Sequence, residues 1–288
     1  MRFRGNGFTI LELLVATTVL AMLSVLLLQI VDHTMRSTGS ATRQIEQAVS
    51  GRHALDAMEA DLQNLVFGGG AALLWKTETP PTMDALAFCV NGRGPSTTAA
   101  DASPRFLAVS YWCENSGNAT TLWRGYSPVP YSATNLPAAA AAAFKSTAYP
   151  PTPVASRIVR GLILFEMDDG SLTVSPPADA MAAAGSNFQG ATVPGGWSAI
   201  LPRLPKARAA SPRVRALVIV FATLDDGSLA KLDAASLTSI RSVLANPTTQ
   251  TQMRDVAGYW DQLSRTNPTM PAVASRALRA WQKRIPLP

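Results

Sequence analysis

Glu12 is the one charged residue between Phe8 and Val31, and a short basic stub ending Arg4-Gly5-Asn6-Gly7 comes directly before that run. A carboxylate inside a membrane span costs about 2.5 to 3.5 kcal/mol at the helix centre on insertion scales, so it calls for a partner or a function. Suppose that the chain is cut at the Gly7–Phe8 peptide bond. That cut would leave a free amine on Phe8, four residues from Glu12 on the same helical face. Among helices packed side by side, the carboxylate of one could then neutralise the terminal amine of the next. A second reading needs no partner. A Glu in the first turn of a helix is favoured by the helix dipole, and its side chain can reach the headgroup level. This accounts for the carboxylate, but not for the glycine, the phenylalanine and the basic stub together.

The run GFTILELLVA, from Gly7 to Ala16, followed by an apolar helix, resembles the processing site of type IV prepilins and type II secretion pseudopilins. The resemblance implies that an inner-membrane prepilin peptidase cuts after Gly7 and methylates the new terminal Phe8. It gives Glu12 the part of the fifth-position glutamate that sets register between subunits. The partners implied are that peptidase, other major and minor pseudopilins, an inner-membrane assembly platform and membrane lipid. No cofactor and no metal are implied.

The elements that must position these residues follow from periodicity. A cleaved secretory signal has a short apolar core followed by small residues at the cut, whereas here the expected cut precedes the core, so the apolar helix stays on the mature protein. About 24 residues at roughly 1.5 Å each span about 36 Å, enough for a hydrocarbon layer of about 30 Å. Arg2 and Arg4 precede the run, which puts the amino end in the cytoplasm and everything beyond Val31 on the far side. Past the span, Met35, Ala41, Ile45, Ala48, Val49, Leu55, Met58, Leu62 and Leu65 recur every three or four residues, with Arg43, Glu46, Arg52, Glu59 and Gln63 between them. One long helix from Phe8 to about Phe67 is expected, stopped by Gly68, Gly69 and Gly70, with a possible break near Gly39. The segments are a leader (1–7), a membrane-spanning part (8–31), an amphipathic part (32–67), a β-rich domain (71–231) and a helical carboxyl-terminal extension (232–288).

Within the β-rich part, Ala85 to Val90, Phe106 to Cys113 and Thr121 to Tyr126 read as antiparallel strands, the last two joined by a hairpin loop at Asn115-Ser116-Gly117-Asn118. The stretch from Ser127 to Pro153, with alanines from Ala138 to Ala143, reads as a loop or a short helix, and Pro176 to Pro212 as a long excursion. Strands near Ile163-Leu164-Phe165 and Ile219-Val220-Phe221 each run into an Asp-Asp-Gly turn, at Asp168-Asp169-Gly170 and Asp225-Asp226-Gly227. Neither copy has the further oxygens and the terminal Glu of a calcium loop. In the tail, Asp233 is placed to cap a helix carrying Leu237, Ile240, Val243 and Leu244, which Asn246-Pro247 closes. Met253, Val256, Trp260 and Leu263 mark a second helical stripe, and Val273, Leu278 and Trp281 a third.

Several of these strands resemble J-type minor pseudopilins: Tyr111-Trp112-Cys113, Thr121-Leu122-Trp123-Arg124, and Leu204-Pro205-Lys206-Ala207 leading into Val214 to Ile219. The chain is also similar to the Verru_Chthon cassette protein C group. No proline lies between Phe8 and Leu65 and no cysteine pair lies near the carboxyl end, both departures from the pattern of major type IV pilins.

Other candidates for chemistry are few. Cys89 and Cys113 are the only cysteines, and either a disulfide or two buried free thiols fits an oxidising compartment. The only histidines, His33 and His53, sit on the long helix without a partner motif. No nucleophile elbow, H-E-x-x-H pair or phosphate-binding glycine loop occurs, and an enzyme is not expected. Arg276, Arg279, Lys283 and Arg284 form a basic tail that could touch phosphates, which keeps a minor type IV pilin for adhesion or DNA uptake as the alternative. The formal charge of +6 falls by two when the leader goes, which is no nucleic-acid signature in itself. With 288 residues and 47% hydrophobic content, the chain has length for one sizeable domain beyond the helix. The expected class is α+β: a long amino-terminal helix on an antiparallel sheet domain with a helical tail, in an inner-membrane, periplasm-facing minor pseudopilin, at the tip of a pseudopilus that supports protein secretion.

Overall fold

The computed structural model describes residues 9–66, 73–77, 83–91, 105–116, 119–130, 135–146, 148–176, 181–182, 187–188, 191–200 and 213–288. The chain divides into a unit ending at Glu46 and a unit from Gln47 to Pro288. One helix, α1 (Ile10–Gln63), belongs to both. No proline interrupts it, and it continues through Gly39, where the expected break does not occur. It ends at Gln63 rather than near Phe67 because Asn64 to Val66 pair with a strand instead. Val66 N donates to Cys89 O at 2.9 Å, and Asn91 N to Asn64 O at 3.0 Å. The glycines expected to stop the helix, Gly68 to Gly70, lie outside the described residues.

Period-2 alternation builds the first sheet. Its strands are β1 (Leu73–Lys76), β2 (Ala85–Asn91), β3 (Arg105–Ser116) and β4 (Ala119–Pro130). A short helix, α2 (Leu136–Ala142), follows; Asn135 caps it by accepting from Ala138 N at 3.0 Å. Then come β5 (Thr152–Ala155), β6 (Ile158–Met167), β7 (Leu172–Thr173), β8 (Met181–Ala182), β9 (Asn187–Phe188), β10 (Ala191–Thr192) and β11 (Ser198–Ile200). The seven-stranded sheet has the order β5-β4-β3-β2-β1-β11-β8, with β9 and β10 as a separate pair. The expected hairpin is β3–β4; pairing continues out to Ser116 opposite Ala119, and residues 117 and 118 at its tip lie outside the described residues.

The second sheet is assembled from distant segments. Its central strand β12 (Val214–Thr223) pairs with β6 on one side. After it come helices α3 (Asp226–Leu229), α4 (Ala234–Val243), α5 (Gln250–Arg254), α6 (Val256–Thr266) and α7 (Ala272–Ala277). The chain closes with β13 (Arg279–Pro286), which pairs along the other side of β12 to give the order β13-β12-β6-β7. These helices are the expected helical tail, which gives way to a strand only at Arg279. Leu278 and Trp281 do not continue a helical stripe, because the last eight-residue element is a strand whose inward residues are Trp281, Lys283 and Ile285.

Burial sorts these elements into layers. Leu86, Phe88, Val90, Leu107, Val109 and Tyr111 of the first sheet meet Ile163, Phe165, Leu217, Ile219 and Phe221 of the second, and Leu55, Met58 and Leu62 of α1 join the same cluster. The opposite face of the second sheet, with Leu164, Val218 and Val220, is covered by Leu237, Ile240, Val256 and Trp260 of the helices. The outer face of the first sheet, with Ala87, Cys89 and Trp112, lies under α2 and Trp197. Each large aliphatic side chain so buried contributes about 1.5 to 3 kcal/mol relative to exposure.

Candidate functional site

Glu12 lies in the first turn of α1, and its partner in this structure is local. Its Oε2 accepts from Thr9 N and from Thr9 Oγ1, both at 3.0 Å, while Glu12 N donates to Thr9 Oγ1 at 3.2 Å. This reciprocal arrangement is a capping box, and the sequence carries its signature as Thr9-Ile10-Leu11-Glu12. The dipole reading named the right part of the helix but missed this specific partner. Both accepted bonds go to Oε2, so among the described residues Oε1 keeps its lone pairs for another donor. Gly7 and Phe8, the expected cleavage and methylation residues, lie outside the described residues.

Beyond Glu12 the helix is suited to lipid. It holds a stretch long and apolar enough to cross a membrane. Its large side chains face outward, from Leu11 at 73% exposed to Leu28 at 69%. Its hydroxyls satisfy themselves on the helix backbone: Thr17 Oγ1 donates to Leu14 O at 3.0 Å, Thr18 Oγ1 to Val15 O at 2.8 Å, and Ser24 Oγ to Leu20 O at 2.9 Å. That removes the cost of bare polar groups in hydrocarbon. Just past the run, Asp32 and Arg36 pair at 2.8 Å on the exposed surface.

The amphipathic half carries two apolar faces. Leu55, Met58, Leu62 and Leu65 are buried as expected, whereas Met35, Ile45 and Val49 from the same predicted stripe remain exposed. Val49 and Met58 stand about two and a half turns apart and so point to opposite sides of the helix.

From Gln47 onward α1 is held by specific polar contacts. Gln47 Nε2 donates to Thr223 O at 2.7 Å and to Thr223 Oγ1 at 3.0 Å. Trp281 Nε1 donates to the same hydroxyl at 3.2 Å. The indole lies so close to Gly51 that a Cβ there would stand 2.7 Å from two ring atoms, which is why a glycine occupies that turn. One turn on, Lys283 Nζ reaches Asp56 and Glu59, both at 2.5 Å. Hydrogen bonds to these carboxylates raise the Lys283 pKa above its ordinary value, and the ammonium lowers that of Asp56. Near the helix end Asp61 accepts from Arg124 Nε at 2.7 Å, from Arg124 Nη2 at 2.9 Å and from the Tyr111 hydroxyl at 2.5 Å. Burial, then the Asp61 charge and hydrogen bond, push the Tyr111 hydroxyl well above the ordinary range. Burial works against the Arg124 charge, but the Asp61 carboxylate outweighs it and the guanidinium pKa is raised.

The remaining candidates resolve differently. Cys89 and Cys113 are buried free thiols, the second of the two expected alternatives. Cys89 stands opposite Ala108 in the register, and from there to Cys113 is about 17 Å of strand. The thiols also face opposite sides of the sheet, far beyond bridging geometry. Burial pushes both up to about 12.

The two Asp-Asp-Gly copies do turn chemistry of two kinds. Asp169 Oδ1 accepts from Ser171 N at 2.8 Å beside Gly170, whose φ is +79°, while Asp225 caps α3 by accepting from Ser228 N at 3.0 Å. Asp233 caps α4 as expected, accepting from Ser236 N at 2.8 Å. In the basic tail Lys283 is held by α1, Arg284 pairs with Glu166, and Arg279 Nη1 donates to Leu278 O at 2.7 Å. His33 and His53 are exposed. Leu204 to Ala207, part of the J-type resemblance, lies outside the described residues.

No protein-family model and no curated protein matches the sequence. Among solved structures, the fold is similar to that of a type IV-like pilin from Thermus thermophilus, at 12% identity and a TM-score of 0.38, over 82% of this chain and 93% of that one.

Proposed function

We propose that the protein is a pilin-like structural subunit, anchored in a membrane by α1 and built into a filament through that helix. The observation that carries this reading is a lipid-length helix whose outward apolar side chains surround a single carboxylate, immediately after a glycine–phenylalanine junction. Prepilin peptidase would cut after Gly7 and methylate Phe8. The amine of one subunit would then meet Glu12 of its neighbour. Glu12 suits this role because its cap engages Oε2 alone, and an unpaired carboxylate in a dehydrated bundle penalises every other register. Met35, Ile45 and Val49 would extend the contact to other pseudopilins beyond the bilayer. On the finer scale the reading is a minor pseudopilin at the tip of a secretion pseudopilus, amino end cytoplasmic and domain periplasmic, raised by an inner-membrane platform.

Mass spectrometry of the amino-terminal peptide tests it: a methylated Phe8 start is expected, and an intact Met1 start overturns it. Glu12→Ala should leave the protein processed and membrane-bound but poorly incorporated. Thr9→Val separates the two parts of Glu12, because it removes the hydroxyl of the cap and spares the carboxylate. Normal incorporation of Thr9→Val beside failure of Glu12→Ala is the expected pattern. The alternative of a DNA-handling minor pilin loses support from the engagement of Lys283 and Arg284 by carboxylates.

A further inference from the structure

On the helical face of the second sheet, beyond the end of α5, is a cavity of about 350 Å³ walled by Leu172 and Val218 and lined by Arg254, Arg284 and Glu166. Its charges do not balance. Arg284 and Glu166 neutralise one another: Nη2 of Arg284 lies 2.8 Å from Oε1, and Nε bonds the other oxygen. Arg254 makes no ion pair among the described residues, although it and Arg215 both stand close enough to act on Glu166, so three guanidinium groups face one carboxylate. The acids on the neighbouring turns are turned back on backbone amides, Asp169 on Ser171 and Asp255 on Gly258 at 2.9 Å.

The walls are fixed before any ligand arrives. Gln250 clamps β7 from both sides, accepting from Leu172 N at 2.9 Å and donating to Leu172 O at 2.8 Å. Gln282 does the same for the end of α5, donating to Arg254 O at 2.8 Å and accepting from Ala257 N at 3.1 Å. Gly170 at the mouth has open space where a side chain would stand. A preformed cleft with a guanidinium in surplus and apolar walls fits a planar anion on an aliphatic stem.

We propose that this cavity is a docking site for a carboxylate side chain of an acidic peptide segment of a partner protein, with Arg254 as the residue that grips it. The apolar walls favour this occupant over free phosphate, which would gain nothing from Leu172 and Val218. The proposal stands apart from the membrane reading, since nothing in it involves α1.

The test uses the full chain in neutral detergent micelles and a short fluorescein-labelled peptide of alternating alanine and glutamate, read by anisotropy. Binding that weakens with salt is expected, with roughly tenfold loss for Arg254→Gln, a smaller loss for Arg254→Lys, and none of this for the same peptide with glutamine. The Arg254 side chain is exposed, so both variants should keep the parent melting midpoint. Equal binding of the glutamine peptide, or an Arg254→Gln variant that binds as tightly as the parent, overturns the proposal. So does displacement of the peptide by inorganic phosphate at matching concentration, which would make the cavity a general anion site.

Discussion

Replacing Asp61 should loosen the grip of the domain on its own helix, and the size of the loss can be worked from the contacts. Asp61→Ala removes three hydrogen bonds at once, two from Arg124 and one from the Tyr111 hydroxyl. Breaking a buried ion pair from one side costs about 3 to 5 kcal/mol. The Arg124 side chain is 29% exposed, so water can reach the abandoned guanidinium and the lower end applies, about 3 kcal/mol. Tyr111→Phe keeps the buried ring and forfeits one bond to a charged acceptor, about 1.5 kcal/mol. The decisive comparison is the double variant. Once Asp61 is gone the buried Tyr111 hydroxyl has lost the acceptor for its proton and keeps only the Arg124 guanidinium beside it, so Tyr111→Phe should cost much less than it does in the parent. Urea unfolding of the full chain in neutral detergent, followed by tryptophan fluorescence, supplies the four free energies. Additive losses in the double variant would refute the reasoning, because they would mean that the hydroxyl and the carboxylate act independently.

Other outcomes follow from the same contacts. Met58→Ala, at a position with no exposed surface, should destabilise by about 2 to 5 kcal/mol in the same unfolding assay, whereas Val49→Ala, on the exposed face, should change stability by less than about 0.5 kcal/mol and act only on assembly. Gly51→Val should displace Trp281 and weaken the docking of α1, seen as faster amide exchange over residues 47–63. Stability should fall on the alkaline side. The unfolded thiols lose their protons near 9.0 but the folded ones only near 12, so the unfolded state binds fewer protons in between. Their contribution is complete below about pH 9 and is lost as pH rises toward 12, by about 1.4 kcal/mol per pH unit per thiol. A Cys89→Ala, Cys113→Ala variant should flatten that decline in a pH series of melting curves.

Much of the architecture was legible because its signals are long. An apolar run of about 24 residues with a single charge announces a span, and β2, β3 and β4 carry enough alternating residues to reveal both faces. Short strands such as Ser198–Ile200 offer no period to read. The misreading of β13 has a specific cause. Its inward row is Trp281, Lys283 and Ile285, and a lysine in the middle breaks the apolar alternation, although its charge is met by Asp56 and Glu59 from α1. Such a partner, more than 200 residues upstream, is invisible to any local window. The stripe on α1 was half right for a related reason: periodicity shows that a face is apolar but not what covers it, and Val49 and Met58 receive opposite answers. At the candidate site, residue types pointed to Glu12, but its reciprocal cap with Thr9 went unread although both residues stood in plain spacing.

Because β13 comes more than 200 residues after the part of α1 that it meets, its place beside α1 and β12 sets an order on biogenesis. The stem leaves the ribosome long before Trp281 and Lys283, the residues that grip it. Until then Gly51, Asp56 and Glu59 wait without their counterparts, and the central strand of the second sheet has one bare edge. A nascent chain stalled or clipped before Arg279 is therefore tethered but ungripped, with an open strand edge that invites stray pairing and early removal by proteases.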